Sequence, residues 1–115
     1  IGEFLAREVD RTQIARFGYV ILPMDEALVL VSLDCSRSFV SIELDIRETE
    51  SGFEPGLFRE FVNGLSRAFD LCIHIRQLDG INAHHIIEAS FKGMGKALRQ
   101  ALAAVEKVQS TKGIL

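Results

Sequence analysis

The chain has 115 residues, one domain's worth, with 48% hydrophobic and 25% charged residues, the composition of an ordinary soluble globule rather than a disordered chain. Thirteen Lys and Arg against sixteen Asp and Glu leave a net charge of −3, which argues against nucleic acid or an anionic membrane as the main partner. No apolar run reaches the length of a membrane span, no basic stretch leads into a secretory apolar segment, and two cysteines make no disulfide framework, so a reducing cytoplasm is expected.

Residues 1–17 read as a helix end followed by a charged connector, because Leu5 and Val9 sit one helical turn apart before Asp10-Arg11-Thr12 breaks the pattern. A helix that starts with nothing before it reads like the tail of something longer. From Gly18 the period becomes that of strands. Tyr19 to Leu22 is short and β-prone and is closed by Pro23, and Ala27 to Asp34 is apolar on both alternating faces, which suits a strand covered on both sides. Phe39 to Ile46 alternates, with Val40, Ile42, Leu44 and Ile46 on one face.

Leu57, Phe58, Phe61, Val62, Leu65, Ala68 and Phe69 then follow the spacing of one buried helix face. Leu71 to Leu78 returns to strand period, with Leu71, Ile73 and Ile75 towards the helix and Cys72, His74 and Arg76 on the opposite face. A final helix is expected from about His84 to Val108, with a core stripe of Ile87, Phe91, Met94, Leu98, Leu102 and Val105, and with Gly93 and Gly95 as candidate points of close packing. The order β-β-β-α-β-α predicts an α+β two-layer sandwich: a mostly antiparallel sheet with two helices on one face.

The sharpest chemical signal is Asn82-Ala83-His84-His85-Ile86-Ile87-Glu88. His84 and Glu88 are i, i+4 on one helix face, while His85 points about 100° away, so each histidine suits a different ion. With His74 the set offers imidazoles and a carboxylate to a borderline divalent metal such as Mn, Fe or Zn. The bland alternative is a solvated histidine pair at a helix start. One helix supplies at most a few groups per ion, so a closed coordination sphere needs another segment or chain.

Cations form the second signal. Lys92, Lys96 and Arg99 stripe the last helix, Lys112 follows in the tail, and Arg16 and Arg37 flank strand ends. They are either a solvated surface or parts of a phosphate clamp drawn from several segments. Asp25-Glu26 after Pro23-Met24 is either turn chemistry or a source of an acid–base group. Cys35 and Cys72 read as packing residues.

These residues resemble the C-terminal part of the imidazoleglycerol-phosphate dehydratase family. The resemblance runs through Arg16-Phe17-Gly18, Pro23 to Ala27, Leu71 to Leu78 and Gly80 to Lys92, and it closes on Ser110-Thr111-Lys112-Gly113. It implies two similar β-β-β-α-β-α repeats, of which residues 18–115 are the second with its substrate-binding tail, and residues 1–17 the end of the preceding repeat's helix and a connector. The chain is then a fragment, a processed piece or a half-length protein that assembles with copies of itself.

The resemblance also implies roles. His74, His84, His85 and Glu88 match metal-binding positions for two Mn²⁺ ions per site, and Glu88 and Asp25 match acid–base positions. Arg16, Arg37, Lys92, Ser110 and Lys112 match the positions that hold the substrate phosphate, although the family's Ser-Gly-Arg-Pro stands here as Ser36-Arg37-Ser38-Phe39. The implied activity is the metal-dependent dehydration of imidazole glycerol phosphate to imidazole acetol phosphate in histidine biosynthesis. The implied partners are the N-terminal repeat and further copies in a homo-oligomer of twenty-four subunits, with active sites between them. Two alternatives stand beside this reading: a metal-stapled assembly module without turnover of its own, and an isolated domain with surface histidines.

Overall fold

The structure, a computed structural model, describes residues 13–47 and 55–105. Its elements are β1 (Phe17–Met24), β2 (Ala27–Asp34), β3 (Phe39–Glu43), α1 (Pro55–Phe69), β4 (Cys72–Asp79) and α2 (Ala83–Ala101), in the β-β-β-α-β-α order that the sequence predicts. The sheet order is β1-β2-β4-β3. β1 pairs antiparallel with β2, and β2 with β4, whereas β3 runs parallel to β4. The sheet is therefore mixed. The parallel pair follows from connectivity, since α1 carries the chain from β3 back to the start of β4, as parallel neighbours require.

Strand alternation sorts the side chains. Ala27, Val29, Val31 and Leu33 of β2, and Ile73 and Ile75 of β4, are buried beneath the helices. The opposite face carries Tyr19, Ile21, Phe39 and Leu78, all exposed, with Leu30, His74 and Arg76 half-buried between them. The two-sided apolar pattern of β2 is thus covered on one side only within the described residues. Pro23 is tolerated inside β1 because that strand lies at the sheet edge.

Both helices differ from expectation in which residues they bury. In α1, Phe58, Val62, Ser66 and Phe69 are buried, while Leu57, Phe61 and Ala68 are exposed. In α2 the buried face is the small-residue face, including Ala83, Ile86, Ser90, Gly93, Met94, Ala97 and Ala101. Phe91 moves to the flank, where its ring meets Phe58 edge-on at 5.0 Å and Phe61 at 5.6 Å. Close approach is the cause, because a Cβ on Gly93 would lie 2.7 Å from Val31 Cγ2. Gly95, the other candidate, faces open space. Phe61, Leu65, Phe91, Met94 and Leu98 line an apolar groove between the helices.

The last helix ends at Ala101, short of the expected Val108, since the chain turns at Leu102 and pairs with the segment before β1. Ala15 N–H donates to Ala103 O at 2.8 Å, Arg16 N–H to Ala101 O at 2.9 Å and Val105 N–H to Gln13 O at 3.0 Å. Residues 13–16 thus belong to the same packed unit as α2. Residues 1–12, onto which most of the expected preceding helix falls, lie outside the described residues.

A candidate imidazole–carboxylate site at the start of α2

The hairpin between β1 and β2 turns through two residues, Asp25 and Glu26, with Asp25 at φ 52°, a left-handed value that aspartate adopts more readily than most. That tip meets the N-terminus of α2. Asn82 caps the helix by accepting the His85 N–H at 3.0 Å, and Glu26 Oε2 accepts the N–H groups of Ile81 at 3.0 Å and Asn82 at 2.7 Å. Glu26 Oε1 lies 2.7 Å from His85 Nδ1. These two backbone donors, then the imidazole, hold the Glu26 carboxyl down at about 2. His85 is pushed above its ordinary value, chiefly by the hydrogen bond to Glu26, with the Asp25 and Glu88 charges adding to it.

Two imidazole–carboxylate pairs open to solvent here. His84 Nε2 is 3.1 Å from Glu88 Oε1, and His85 Nε2 is 3.3 Å from Asp25 Oδ2. The rings are 6.3 Å apart between centroids, as expected of adjacent helix positions pointing different ways. Lys92 Nζ holds the second Glu88 oxygen at 3.1 Å, and this contact first, then His84, keeps the Glu88 carboxyl below the usual range. Lys92, matched above to a phosphate position, is therefore also the counter-ion of Glu88.

His74 stands apart from His84, His85 and Glu88 within this chain. Alternation along β4 turns it to the sheet face away from the helices, where it lies beside Ser32 and Ser41 and its ring sits 5.6 Å from Phe39. Among the described residues no group of three or more His, Cys, Asp or Glu side chains is placed to hold one ion.

The cationic residues divide likewise. Arg16 lies at the far end of the hairpin, where its Nε donates to Asp34 Oδ1 at 2.7 Å and its Nη2 to Asp34 Oδ2 at 3.2 Å. Ser36 Oγ donates to the same carboxylate at 2.9 Å, and Arg37 in the following bend adds its charge. Arg16 takes a left-handed φ of 81°, a backbone strain that side chains other than glycine rarely carry and that functional positions often do. The length of β2, roughly 23 Å at about 3.3 Å per residue, separates this corner from the Asp25–His85 end. Ser110 and Lys112 lie outside the described residues.

The Arg16–Asp34 pair gives a pH prediction. The guanidinium holds the Asp34 carboxyl below its ordinary value, so its stabilising contribution is complete above the unfolded carboxyl's pKa, about 4, and is lost as pH falls further. Asp34→Asn is therefore expected to melt slightly below wild type at pH 7, with the gap closing below about pH 4. A gap that widened on acidification would contradict the pairing.

The fold and site define an α+β sandwich that presents paired imidazoles and carboxylates where a hairpin tip meets a helix start. The family model described as imidazoleglycerol-phosphate dehydratase matches residues 1–98, and the chain belongs to that family. An imidazoleglycerol-phosphate dehydratase of Pyrococcus furiosus is 52% identical over 116 residues, covering 100% of this chain and 65% of the relative. One from a Synechococcus strain is 44% identical over 122 residues, covering 100% and 60%. The crystal structure of the Pyrococcus furiosus enzyme in complex with (S)-C348 superposes with a TM-score of 0.87 at 50% identity, over 99% of this chain and 65% of that one. That of the Staphylococcus aureus enzyme gives 0.80 at 31%, over 90% and 64%. The chain thus spans a little under two thirds of the relatives it matches.

Sequence reasoning missed one residue of this site. Glu26 was legible as half of a turn or as a source of an acid–base group, and nothing in its separation of 59 positions from His85 reveals that the two side chains meet.

Proposed function

We propose that this chain takes part in the dehydration of imidazole glycerol phosphate to imidazole acetol phosphate, a cytoplasmic step of histidine biosynthesis, at a Mn²⁺-dependent site completed by other chain segments. The observation that carries the reading is the juxtaposition of two imidazole–carboxylate pairs, His84 with Glu88 and His85 with Asp25, in a chain of this family.

The donor chemistry fits the metal. Neighbouring donors around an ion with bonds of about 2.1 Å lie roughly 3 Å apart, close to the spacing of both pairs, and mixed imidazole and carboxylate ligands suit Mn²⁺. Bound metal would act as a Lewis acid towards the substrate. His84 and Glu88 would hold one ion, and His85 with Asp25 or the outer-face His74 would serve another. The reaction removes one hydrogen as a proton and the neighbouring hydroxyl as water, so it needs groups that accept and donate protons. Glu88, kept ionised by Lys92, and the exposed Asp25 are the carboxylates able to do so. Arg16, Arg37, Lys92, Ser110 and Lys112 are the proposed phosphate ligands, which would convert phosphate binding into positioning of the reacting carbons.

Two observations support completion by other segments. Each imidazole–carboxylate pair offers two donors, too few for a closed sphere, and Arg16 lies roughly a strand length from His85. The apolar groove between the helices and the apolar outer sheet face add surface for a further repeat or further copies, in keeping with a twenty-four-subunit assembly.

The test is a dehydratase assay of the purified complete protein, with EDTA and with Mn²⁺ restored. Turnover is expected to vanish on chelation and to return with the metal. Turnover indifferent to EDTA would overturn the metal dependence. Metal-dependent assembly without turnover would replace the enzymatic reading by that of a metal-stapled module.

A further inference from the structure

We propose that Glu26 is a positioning residue for the metal site: it fixes the tautomer and orientation of His85, so that Nε2 is the nitrogen offered to the metal. The inference rests on the reading of His85 as a metal ligand. An ionised carboxylate can only accept a hydrogen bond, so the 2.7 Å contact of Glu26 Oε1 with His85 Nδ1 places the proton on Nδ1. The Nε2 lone pair then points towards Asp25 Oδ2, 3.3 Å away. In the imidazolium a proton on Nε2 fills that gap, and in the neutral ring the facing lone pair and carboxylate leave it to a metal ion, which is the arrangement of a ligand pair. Metal-bound imidazoles characteristically give their other N–H to a carboxylate that sets ring orientation and basicity.

Glu26 is itself held. Its other oxygen accepts the N–H groups of Ile81 and Asn82, and the Asn82 side chain caps α2 at the His85 N–H. One carboxylate therefore ties the hairpin tip, the helix N-terminus and the imidazole into a single geometry. Among the described residues His84 has no such arrangement, and its Nε2 faces Glu88 of its own helix. The two adjacent histidines are thus positioned differently.

Glu26→Gln separates this role from a merely structural cap. The glutamine carbonyl oxygen must accept the Ile81 and Asn82 N–H groups, which turns its NH₂ towards His85 Nδ1. Nδ1 becomes an acceptor, the ring proton moves to Nε2, and the metal-facing lone pair is lost. The complete protein with ¹⁵N-labelled histidine rings would be examined metal-free by solid-state NMR in mildly alkaline buffer, with the His85 signal assigned by its loss in His85→Gln. Free Mn²⁺ would be titrated separately by EPR.

The expected result is an Nδ1–H tautomer in wild type and Nε2–H in Glu26→Gln, with Mn²⁺ affinity reduced about 10- to 100-fold at unchanged helix content. An unchanged tautomer, or a shifted tautomer with unchanged affinity, would overturn the inference. Glu26→Asp, which keeps the charge and the acceptors, is expected to retain the wild-type tautomer and covers the case in which Glu26→Gln does not fold; an Nε2–H ring there would equally overturn the inference. Failure of wild type to bind Mn²⁺ would instead sink the metal reading, while the tautomer would still report on what Glu26 does to His85.

Discussion

Gly18→Ala is expected to destabilise the sandwich by about 3 kcal/mol or more, enough to empty much of a marginal folded population. Gly18 lies in β1 directly beneath the last turns of α2. A Cβ there would stand 2.0 Å from Ala97 O and 2.9 Å from Ala101 N, both of them backbone atoms that no rotamer change can move. The helix would have to lift from the sheet. Its end is pinned, however, because Arg16 N–H donates to Ala101 O at 2.9 Å and Tyr19 N–H to Gln100 Oε1 at 3.0 Å. The substitution therefore breaks packing and clamp together. Gly64, also a glycine but on α1 with nothing within 4 Å of its virtual Cβ, supplies the control: Gly64→Ala is expected to be neutral or to stabilise by up to about 1 kcal/mol. Denaturant unfolding of the three proteins decides the matter, and equal midpoints for Gly18→Ala and wild type would show that the close approach is not real.

This contact also marks how far the sequence could be read. Element order, the face of β4 that carries Ile73 and Ile75, and the placing of His74 and Arg76 on the other face all followed from local period, because alternation and helical spacing are local properties. What local period could not supply was the partner. β3 was expected to reach Ile46 because Leu44 and Ile46 continue its alternation, yet it stops at Glu43, and the Asp45 N–H goes to the Gln77 side chain at 2.7 Å instead of to a ladder. Beside Ile86, Ile87 and Met94, α2 buries alanines, a serine and a glycine while Phe91 goes to the flank, since close approach to β1 and β2 selects for small residues and hydrophobicity alone does not reveal that distance.

The candidate site was legible to the same degree. His84, His85 and Glu88 declare themselves by spacing on one helix, and the structure keeps them together. Asp25 and Glu26 join them only because a hairpin tip lands on a helix N-terminus, a contact between segments more than fifty residues apart. The separation of Arg16 from His85 was equally invisible. Both are chemically plausible members of one site, and only the length of the β1–β2 hairpin keeps them apart.

That separation leads to a second large effect, in mixed assemblies. The proposed substrate, its ring and phosphate joined by three carbons, spans under about 10 Å, whereas roughly 23 Å lie between the Arg16 and His85 ends of one copy. If Arg16 binds the phosphate and His85 the metal, each working site must take them from different copies. Arg16→Gln and His85→Gln are each expected to lower turnover by about 100-fold or more when made alone. Co-assembled in equal amounts, the two inactive proteins are expected to regain about a quarter of wild-type turnover, since a site that draws Arg16 from one copy and His85 from another is intact in about one random pairing in four. The double variant co-assembled with wild type is likewise expected to give about a quarter, against about a half if both residues of a site come from one copy, with mixing checked independently by the mass of particles built from differently tagged copies. About a half in that control from particles shown to be mixed, with no recovery from the two single variants, would mean that both residues of a site come from one copy, and the roles proposed for Arg16 and His85 could not both stand.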